Sequence, residues 1–238
     1  MPNTRKQFLF YFLFGILFIP FADLMAQRYS GKEADAICKG STLVVVGDQS
    51  KAPTMILLGE QTNYEATAWL TLLKPVLGMH ENDAFKEYKA MKDMVGFAHH
   101  YFHQLYKGLK VEGGEYVVHE KKGRIISFSG LFLENIDMKT EPSVTAPEAL
   151  KTALKHVGAK VYKWEIPDEE AKLRKKNKDS TATFYPVPEL VIASRGLNLK
   201  KRELRLCYKV EISAADPLSH SAYFVDANTN VIIGIENL

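Results

Sequence analysis

The chain has 238 residues, of which 46% are hydrophobic and 25% are charged, and its formal net charge is +3. This near-balanced charge argues against a nucleic-acid partner, because such a partner selects a concentrated basic face. The length suffices for one large domain or for two small ones that each bury their own core.

The first 26 residues are predicted to be a secretory signal peptide. Arg5 and Lys6 precede an apolar run over residues 8–19, and the segment ends in the small residue Ala26. This order of a charged region, an apolar region and a small residue is typical of a cleaved signal. The run is short for a transmembrane span. We expect cleavage after Ala26 and a secreted or periplasmic protein; the alternative is a retained membrane anchor.

The segment between the signal and residue 63 carries few structural signals. Residues 27–39 show little periodicity. A run of Leu and Val inside residues 41–47 predicts one short strand, either at the edge of a sheet or paired within it.

Two helices are predicted after residue 63. Apolar side chains recur at helical spacing over residues 64–73, and Pro75 is expected to end this helix because proline lacks the N–H of the helical ladder. Further apolar residues three positions apart predict a second helix. The first helix is defined by Ala66, Trp69, Leu70 and Leu73, and the second by Phe85, Tyr88, Met91 and Met94.

The next stretch predicts a three-stranded antiparallel meander. Apolar residues alternate in three runs, at 102–106, 109–119 and 124–131. Lys-Gly pairs at 107–108 and 122–123 separate the runs, as expected for short hairpin connections.

The same stretch carries a distinctive series of residue types. In chain order they are His99, Phe102, Gln104, Tyr106-Lys107-Gly108, Val111, Gly113-Gly114-Glu115 and Val117-Val118-His119. This series resembles the FTP module in the pro-region of secreted thermolysin-like and fungalysin-like metallopeptidases. The family often has Arg two positions after the first His, where this chain has Tyr101, so an ion pair made there by relatives is in doubt here.

The resemblance implies that the meander is a docking surface for a peptidase domain, and it supplies no catalytic residue. The implied binding residues are His99, Phe102, Gln104, Tyr106, Gly108, Val111, Gly113, Gly114 and Glu115. Read from the residues alone, the pair of glycines inside the meander predicts a β-bulge or a close packing contact.

A break at residues 139–143 precedes a well-marked helix. Thr145 and Glu148 fit a capping box, in which each side chain bonds to the backbone of the other residue. Apolar residues then line one face as far as Val157, and Gly158 follows at the position where helices commonly end.

The remaining sequence predicts a charged insertion followed by an antiparallel sheet. The insertion covers residues 166–188 and is expected to contain a solvated helix with acidic residues first and basic residues last. Strands are predicted at 189–194 and 204–213, and a hairpin turn at 227–230.

This second part resembles the PepSY module that follows FTP in the same pro-regions. In that module a capped, Ala-rich helix precedes a strand that ends in Val-Asp-Ala, and the corresponding residues here are Val225-Asp226-Ala227. Residues 164–167 and 185–186 are similar to segments of large secreted peptidases of the Bacteroidetes group.

We therefore predict an α+β fold of two units, each an antiparallel sheet packed with one or two helices. The FTP-like unit covers residues 64–138 and the PepSY-like unit covers residues 139–238, after an N-terminal segment at 27–63. Cys38 and Cys207 are the two cysteines of the chain. Their pairing is left open, because an exported protein permits a disulfide but the sequence does not supply the geometry.

The sequence lacks the zinc signature H-E-x-x-H of such peptidases, and it also lacks a G-x-S-x-G motif and a P-loop. His99 and His103 have the spacing of zinc ligands on a helix, but on a strand they would lie roughly 13 Å apart. We predict that these histidines are structural and that the chain holds no cofactor. The zinc would belong to the peptidase partner.

The resemblance implies a pro-region that acts as intramolecular chaperone and inhibitor of a secreted zinc metalloendopeptidase. If the chain is the N-terminal part of a precursor, the gene should continue to an H-E-x-x-H motif. A free-standing inhibitor or chaperone that acts in trans would instead have a stop codon directly after Leu238. A third hypothesis is a periplasmic binding module without inhibitory activity.

Overall fold

The computed structural model describes residues 26–48 and 50–238. The predicted signal peptide, except for its last residue, therefore lies outside the described residues. Within these residues, none of the helices has the length and the apolar character needed to span a membrane.

The fold is α+β, as predicted, and its strands pair mostly antiparallel. The strands of the described chain are β1 (Gln27–Ser30), β2 (Ser41–Val46), β3 (Pro53–Leu58), β4 (Asp83–Lys92), β5 (Phe97–Tyr106), β6 (Leu109–Lys121), β7 (Arg124–Leu131), β8 (Val161–Tyr162), β9 (Glu189–Ser194), β10 (Leu204–Asp216), β11 (Leu218–Asp226) and β12 (Ile232–Asn237). The α-helices are α1 (Lys32–Ile37), α2 (Trp69–Leu77), α3 (Ala146–Val157) and α4 (Pro167–Asn177), and short 3₁₀ helices cover Ala66–Ala68, Lys163–Glu165 and Arg195–Leu197.

All of these strands belong to one continuous sheet. Its main path runs β1-β2-β3-β7-β6-β9-β10-β11-β12, while β4 pairs with β5, β5 also pairs with β6, and β8 pairs with β10. The first half, β1 to β7, meets the second half, β8 to β12, where Lys110 and Val111 of β6 pair in parallel with Val191 and Ile192 of β9. The predicted boundary after residue 138 falls between the halves, and the division into separate domains stays a prediction.

Each half of the sheet has one face whose core is covered by helices. Helices α1 and α2 cover the first half, where Tyr116 and Phe128 are fully buried. Helix α3 covers the second half, where Ala149 and Ala153 pack close to Val210. Fully burying a side chain such as Phe128 contributes roughly 1.5–3 kcal/mol, so these faces supply much of the folding energy.

The two cysteines lie in different cores and do not pair. Cys38 lies under α1 and α2, whereas Cys207 packs with Val191 and Phe224 on the opposite face of the second half. Both are buried free thiols. Burial raises the pKa of Cys38 to about 11 and that of Cys207 to about 12, so neither is a thiolate at neutral pH.

The second predicted helix is wrong, because Phe85, Tyr88 and Met91 lie in strand β4 and Met94 lies in the turn that follows it. The Ala, Glu, Lys and Met residues of this segment favour a helix by propensity, but β5 offers a ladder of backbone partners along the whole segment. A shift of register at Tyr88 interrupts strict alternation. Phe85 consequently faces the core, whereas Tyr88 and Met91 are exposed, and the spacing of three mimics a helical face.

The first predicted helix is confirmed, but Pro75 does not end it. The 3₁₀ turn Ala66–Ala68 leads into α2, which continues past Pro75 and stops before Gly78, whose φ is 64°. Proline removes one hydrogen bond of the helical ladder. Burial of Leu73 and Leu77 in the core offsets that loss and keeps the last turn helical.

The meander, the capped helix and the charged helix are confirmed. Strand β5 begins at Phe97, five residues earlier than predicted. At the start of α3 the carboxylate of Glu148 accepts a hydrogen bond of 2.8 Å from the backbone N–H of Thr145, and Gly158 ends the helix at φ 58°. Helix α4 carries acidic residues in its first turn and basic residues in its last turn.

Candidate functional site

Gln104, at the centre of the motif, is fully buried and bonds twice to the backbone of Leu133. Its Nε2 donates to the carbonyl oxygen of Leu133 at 2.8 Å, and the N–H of Leu133 donates to its Oε1 at 2.8 Å. The side-chain amide therefore takes the place of a strand partner and fixes the chain just after β7.

Gly113 and Gly114 form the predicted bulge and also make the predicted close contacts. They lie where the register between β5 and β6 shifts. A Cβ on Gly114 would lie 2.6 Å from Oε1 of Gln104, and a Cβ on Gly113 would lie 2.5 Å from Cδ1 of Leu199. A side chain at Gly114 would displace the packed Gln104, and one at Gly113 would displace Leu199 and also take a strained φ of +80°.

We expect Gly113→Ala to lower the free energy of unfolding by about 3 kcal/mol, and Gly123→Ala by only about 1 kcal/mol. Both glycines have φ +80°, but a Cβ on Gly123 meets no atom within 4 Å. The difference therefore isolates the clash with Leu199. Urea unfolding of both variants measures it, and equal losses would show that backbone strain alone accounts for the effect.

The motif residues build the joint between the two halves of the sheet. Tyr106 and Val111 are buried in one cluster with Leu133 and Ile192, next to the parallel pairing of β6 and β9. The Gln104 amide holds Leu133 in this cluster. The motif thus fixes the first half of the sheet against the second.

The nine residues predicted to bind a partner divide into two groups. The side chains or backbones of five are buried, which gives them a structural role and leaves little surface for a partner: Phe102, Gln104, Tyr106, Val111 and Gly114. The other four keep accessible surface: His99, Gly108, Gly113 and Glu115. Docking through this second group stays a prediction.

The first half of the sheet has a second face, opposite α1 and α2. Directly opposed residues of antiparallel strands point to the same face, so the register defines rows of side chains across the strands. The rows are Met91, His99, His119, Ser127, Leu57 and Leu43; Lys89, Tyr101, Val117, Ser129, Met55 and Val45; and Lys86, His103, Glu115 and Leu131. We call these residues, together with Tyr88, the open face.

None of the open-face residues is buried in the described structure. Met55 is 40% exposed, and Tyr88 and Met91 are each 44% exposed. Large apolar and aromatic side chains that gather on one uncovered surface are typical of a protein contact site. The open face is therefore the candidate functional site.

Two histidines at the centre of the open face contact each other. Nδ1 of His99 lies 2.7 Å from Nδ1 of His119, with the rings at 78°. The remaining nitrogen of His99 lies 3.5 Å from a carboxylate oxygen of Asp93, and that of His119 lies 2.9 Å from Oγ of Ser129. Cross-strand pairing of β5 and β6 brings the two rings together.

His103 lies on the same face, two rows away from His99 and His119. Its ring stacks on Tyr88 with centroids 3.7 Å apart, and its Nδ1 lies 3.0 Å from a carboxylate oxygen of Glu115. His99 and His103 therefore have separate partners, which confirms their predicted placement on a strand. Within the residues that the structure describes, no three His, Cys, Asp or Glu side chains are arranged to hold a metal ion.

These histidines are expected to make the chain less stable in mild acid. Burial and the neighbouring His99 lower the pKa of His119 from its ordinary 6.5, and burial and Lys110 lower that of His103. The unfolded chain then binds more protons than the folded chain below about pH 6.5. The contribution of the two histidines to the free energy of unfolding is fully present above that pH, and it is lost as the pH drops below it.

Urea unfolding between pH 7.5 and 5 measures this loss, which His119→Asn should reduce and the exposed control His220→Asn should leave unchanged. A second fall in the free energy of unfolding, caused by protonation of Glu134, is expected between pH 4.5 and 2. Burial raises the pKa of Glu134, but hydrogen bonds from Arg202 and Ser50 outweigh it and lower the pKa to about 2. Constant stability from pH 7.5 to 5 would contradict the placement of His119.

A cavity of about 370 Å³ opens on the other face of the same strands, beside α2. The rings of Trp69 and Phe102 lie on its wall with centroids 4.3 Å apart. At its rim, Nδ1 of His100 lies 2.8 Å from Glu87, and its Nε2 lies 3.6 Å from Glu120. These contacts tie the edge strand β4 to β5 and β6.

Sequence reasoning missed most of the open face. Met55 lies on β3 and Val45 on β2, and only the pairing of β2 with β3 and of β3 with β7 brings them beside the meander. His119 belongs to the quoted motif but was not among the predicted binding residues. Alternation along β5 was the available signal, because His103 lies between the buried Phe102 and Gln104, and Tyr101 and His99 follow at every second position before it.

A family model for the fungalysin/thermolysin propeptide motif, FTP, matches residues 83–132. The match spans strands β4 to β7, so the chain contains an FTP propeptide motif, as its resemblance predicted. Among solved structures, the chain is similar to the C-terminal domain of YpeB from Bacillus megaterium, with a TM-score of 0.39 and 14% sequence identity over 91% of each chain. No curated protein sequence matches the chain.

Proposed function

We propose that this chain is the pro-region of a secreted thermolysin-like zinc metallopeptidase, and that it assists the folding of the peptidase domain and inhibits it. The FTP motif over β4 to β7 carries the proposal, because an FTP propeptide implies association with such a peptidase. A propeptide acts by binding and is not itself catalytic. A partner that binds the native peptidase stabilises it and, over the cleft, excludes substrate.

The buried joint supports the template role. A binding surface that keeps its shape loses less conformational entropy on association. The double hydrogen bond of Gln104 and the packed bulge at Gly113 and Gly114 fix the strands that carry the open face. In this proposal the buried motif residues act by holding the surface rather than by touching the partner.

The open face supports the docking role. Its exposed Met55, Tyr88 and Met91 offer apolar area without charge, and interface centres are enriched in such residues. Lys86, Lys89 and Glu115 give its margin polar groups. The zinc of the peptidase would come from the partner, together with its catalytic residues.

Secretion belongs to the same proposal. The charged and apolar order of residues 1–26 supports export, and the likeness of residues 164–167 and 185–186 to Bacteroidetes peptidases supports a parent of that type. The alternatives are an inhibitor or chaperone that acts in trans and a binding module without inhibitory activity. Reading the gene beyond Leu238 distinguishes a longer precursor from a trans-acting protein.

Purified residues 27–238 test the function. We expect them, at micromolar concentration, to inhibit thermolysin and to raise the yield of active thermolysin after its dilution from denaturant. Bovine serum albumin at equal mass controls for non-specific protection. If neither effect occurs while the chain is folded, the binding module is favoured and the proposed function is wrong.

A further inference from the structure

Each ring nitrogen of His99 and His119 has a polar neighbour, and the two Nδ1 atoms face each other. One arrangement of hydrogens satisfies the whole chain while both rings are neutral. The hydroxyl of Ser129 donates to Nε2 of His119 at 2.9 Å, and Nδ1–H of His119 donates to Nδ1 of His99 at 2.7 Å. Nε2–H of His99 then faces the carboxylate of Asp93 at 3.5 Å.

The pair can bind one proton easily but not two. A first proton can bind Nε2 of His119, because the hydroxyl of Ser129 can turn from donor to acceptor. A second proton must bind Nδ1 of His99, where it meets the N–H of His119 across a 2.7 Å gap. This second step breaks the hydrogen bond and leaves two adjacent positive charges.

The surroundings of the pair compensate one positive charge at most. The neighbouring side chains come from β3 to β7 and from the turn between β4 and β5: Leu57, Lys89, Met91, Asp93, Phe97, Tyr101, Val117, Lys121, Ser127 and Ser129. Asp93 is the one acidic group in this set. Lys89 lies 5.1 Å from the centre of the Tyr101 ring, and Lys121 lies 4.4 Å from that of the Phe97 ring, so both add positive charge.

We propose that the pair of His99 and His119 makes docking through the open face dependent on pH, with strong docking at neutral pH and weak docking in mild acid. The inference rests on the proposed function, because it concerns the regulation of the same face. A docked partner removes water from the face, and burying a protonated His119 is unfavourable because its own contacts are the neutral His99 ring and the Ser129 hydroxyl, while Asp93 contacts His99. Docking therefore requires the pair to release its proton, and the dissociation constant rises as the pH falls.

Binding of residues 27–238 to thermolysin, inactivated by replacing the Glu of its H-E-x-x-H motif, tests this at pH 7.5 and 5. For each proton that docking releases, Kd rises by up to about tenfold when the pH is lowered by one unit. We expect Kd to rise about tenfold or more for the natural chain, but much less for His99→Asn and His119→Asn. His220→Asn, at an exposed position in the second half, should behave like the natural chain. Comparing variants at each pH cancels the titration of thermolysin itself.

The titration of the free chain provides a readout that does not depend on docking. We expect the NMR signals of the His119 ring to shift with pH in two separated steps, and in one step when His99 is replaced by Asn. A single step in the natural chain would overturn the inference. Equal Kd values at both pH values would also overturn it, whereas the absence of binding at both would instead contradict the proposed function.

Discussion

Replacing Gln104 by leucine is expected to lower the free energy of unfolding by about 4 kcal/mol. The amide satisfies both the N–H and the carbonyl of Leu133 in a fully buried site. Leucine has a similar volume but no polar atom, so both backbone groups lose their partner. Each unsatisfied buried group costs about 1–3 kcal/mol, and the two losses add.

Urea unfolding monitored by circular dichroism measures this loss. The matched control is Gln61→Leu, which makes the same change at an exposed position and should alter stability by less than about 0.5 kcal/mol. If Gln104→Leu and the control were equally stable, the Leu133 groups would have other partners, and the motif residue would not hold the joint.

Replacing Met55 by glutamate is expected to weaken inhibition of thermolysin by about 100-fold without unfolding the chain. Met55 is 40% exposed in the middle of the open face, so a carboxylate there is tolerated in the free chain. In the docked complex the same carboxylate would lose its water and have no partner. An unpaired buried charge costs about 2–5 kcal/mol, and 1.4 kcal/mol corresponds to a tenfold change in affinity.

The control for this variant is Val187→Glu, which adds the same charge at a position 79% exposed in the charged insertion. It should inhibit like the natural chain. Circular dichroism of both variants checks that they remain folded. Equal inhibition by Met55→Glu and the control would exclude the centre of the open face from the contact.

Local patterns sufficed to predict the elements whose residues alternate or cap cleanly. The meander and α3 have strict periodicity, tight turns or a capping box, so their structure depends on neighbours in sequence. Strand β4 could not be predicted in this way, because its helix-forming residues become a strand only by pairing with β5. The continuation of α2 past Pro75 likewise depends on the core beneath Leu77.

The candidate site was only partly predictable, for a related reason. The motif residues mark the correct strands, but a motif does not state which face each side chain takes. The Gln104 amide is satisfied in a buried site because it donates one hydrogen bond to the backbone of Leu133, 29 positions later, and accepts one from it, and no local signal links the two residues. Met55 reaches the open face through β3 and β7, which required the sheet order.

In the proposed function, the chain docks a peptidase on the open face. Hydroxyl-radical footprinting with mass spectrometry tests it, using residues 27–238 alone and bound to thermolysin inactivated at its H-E-x-x-H glutamate. Met55, Tyr88 and Met91 report on the open face, and Tyr185, which is 51% exposed in the insertion, is the reference. We expect binding to lower oxidation of the first three residues several-fold and to leave Tyr185 unchanged. Binding without protection of Met55, Tyr88 and Met91 would contradict docking on the open face.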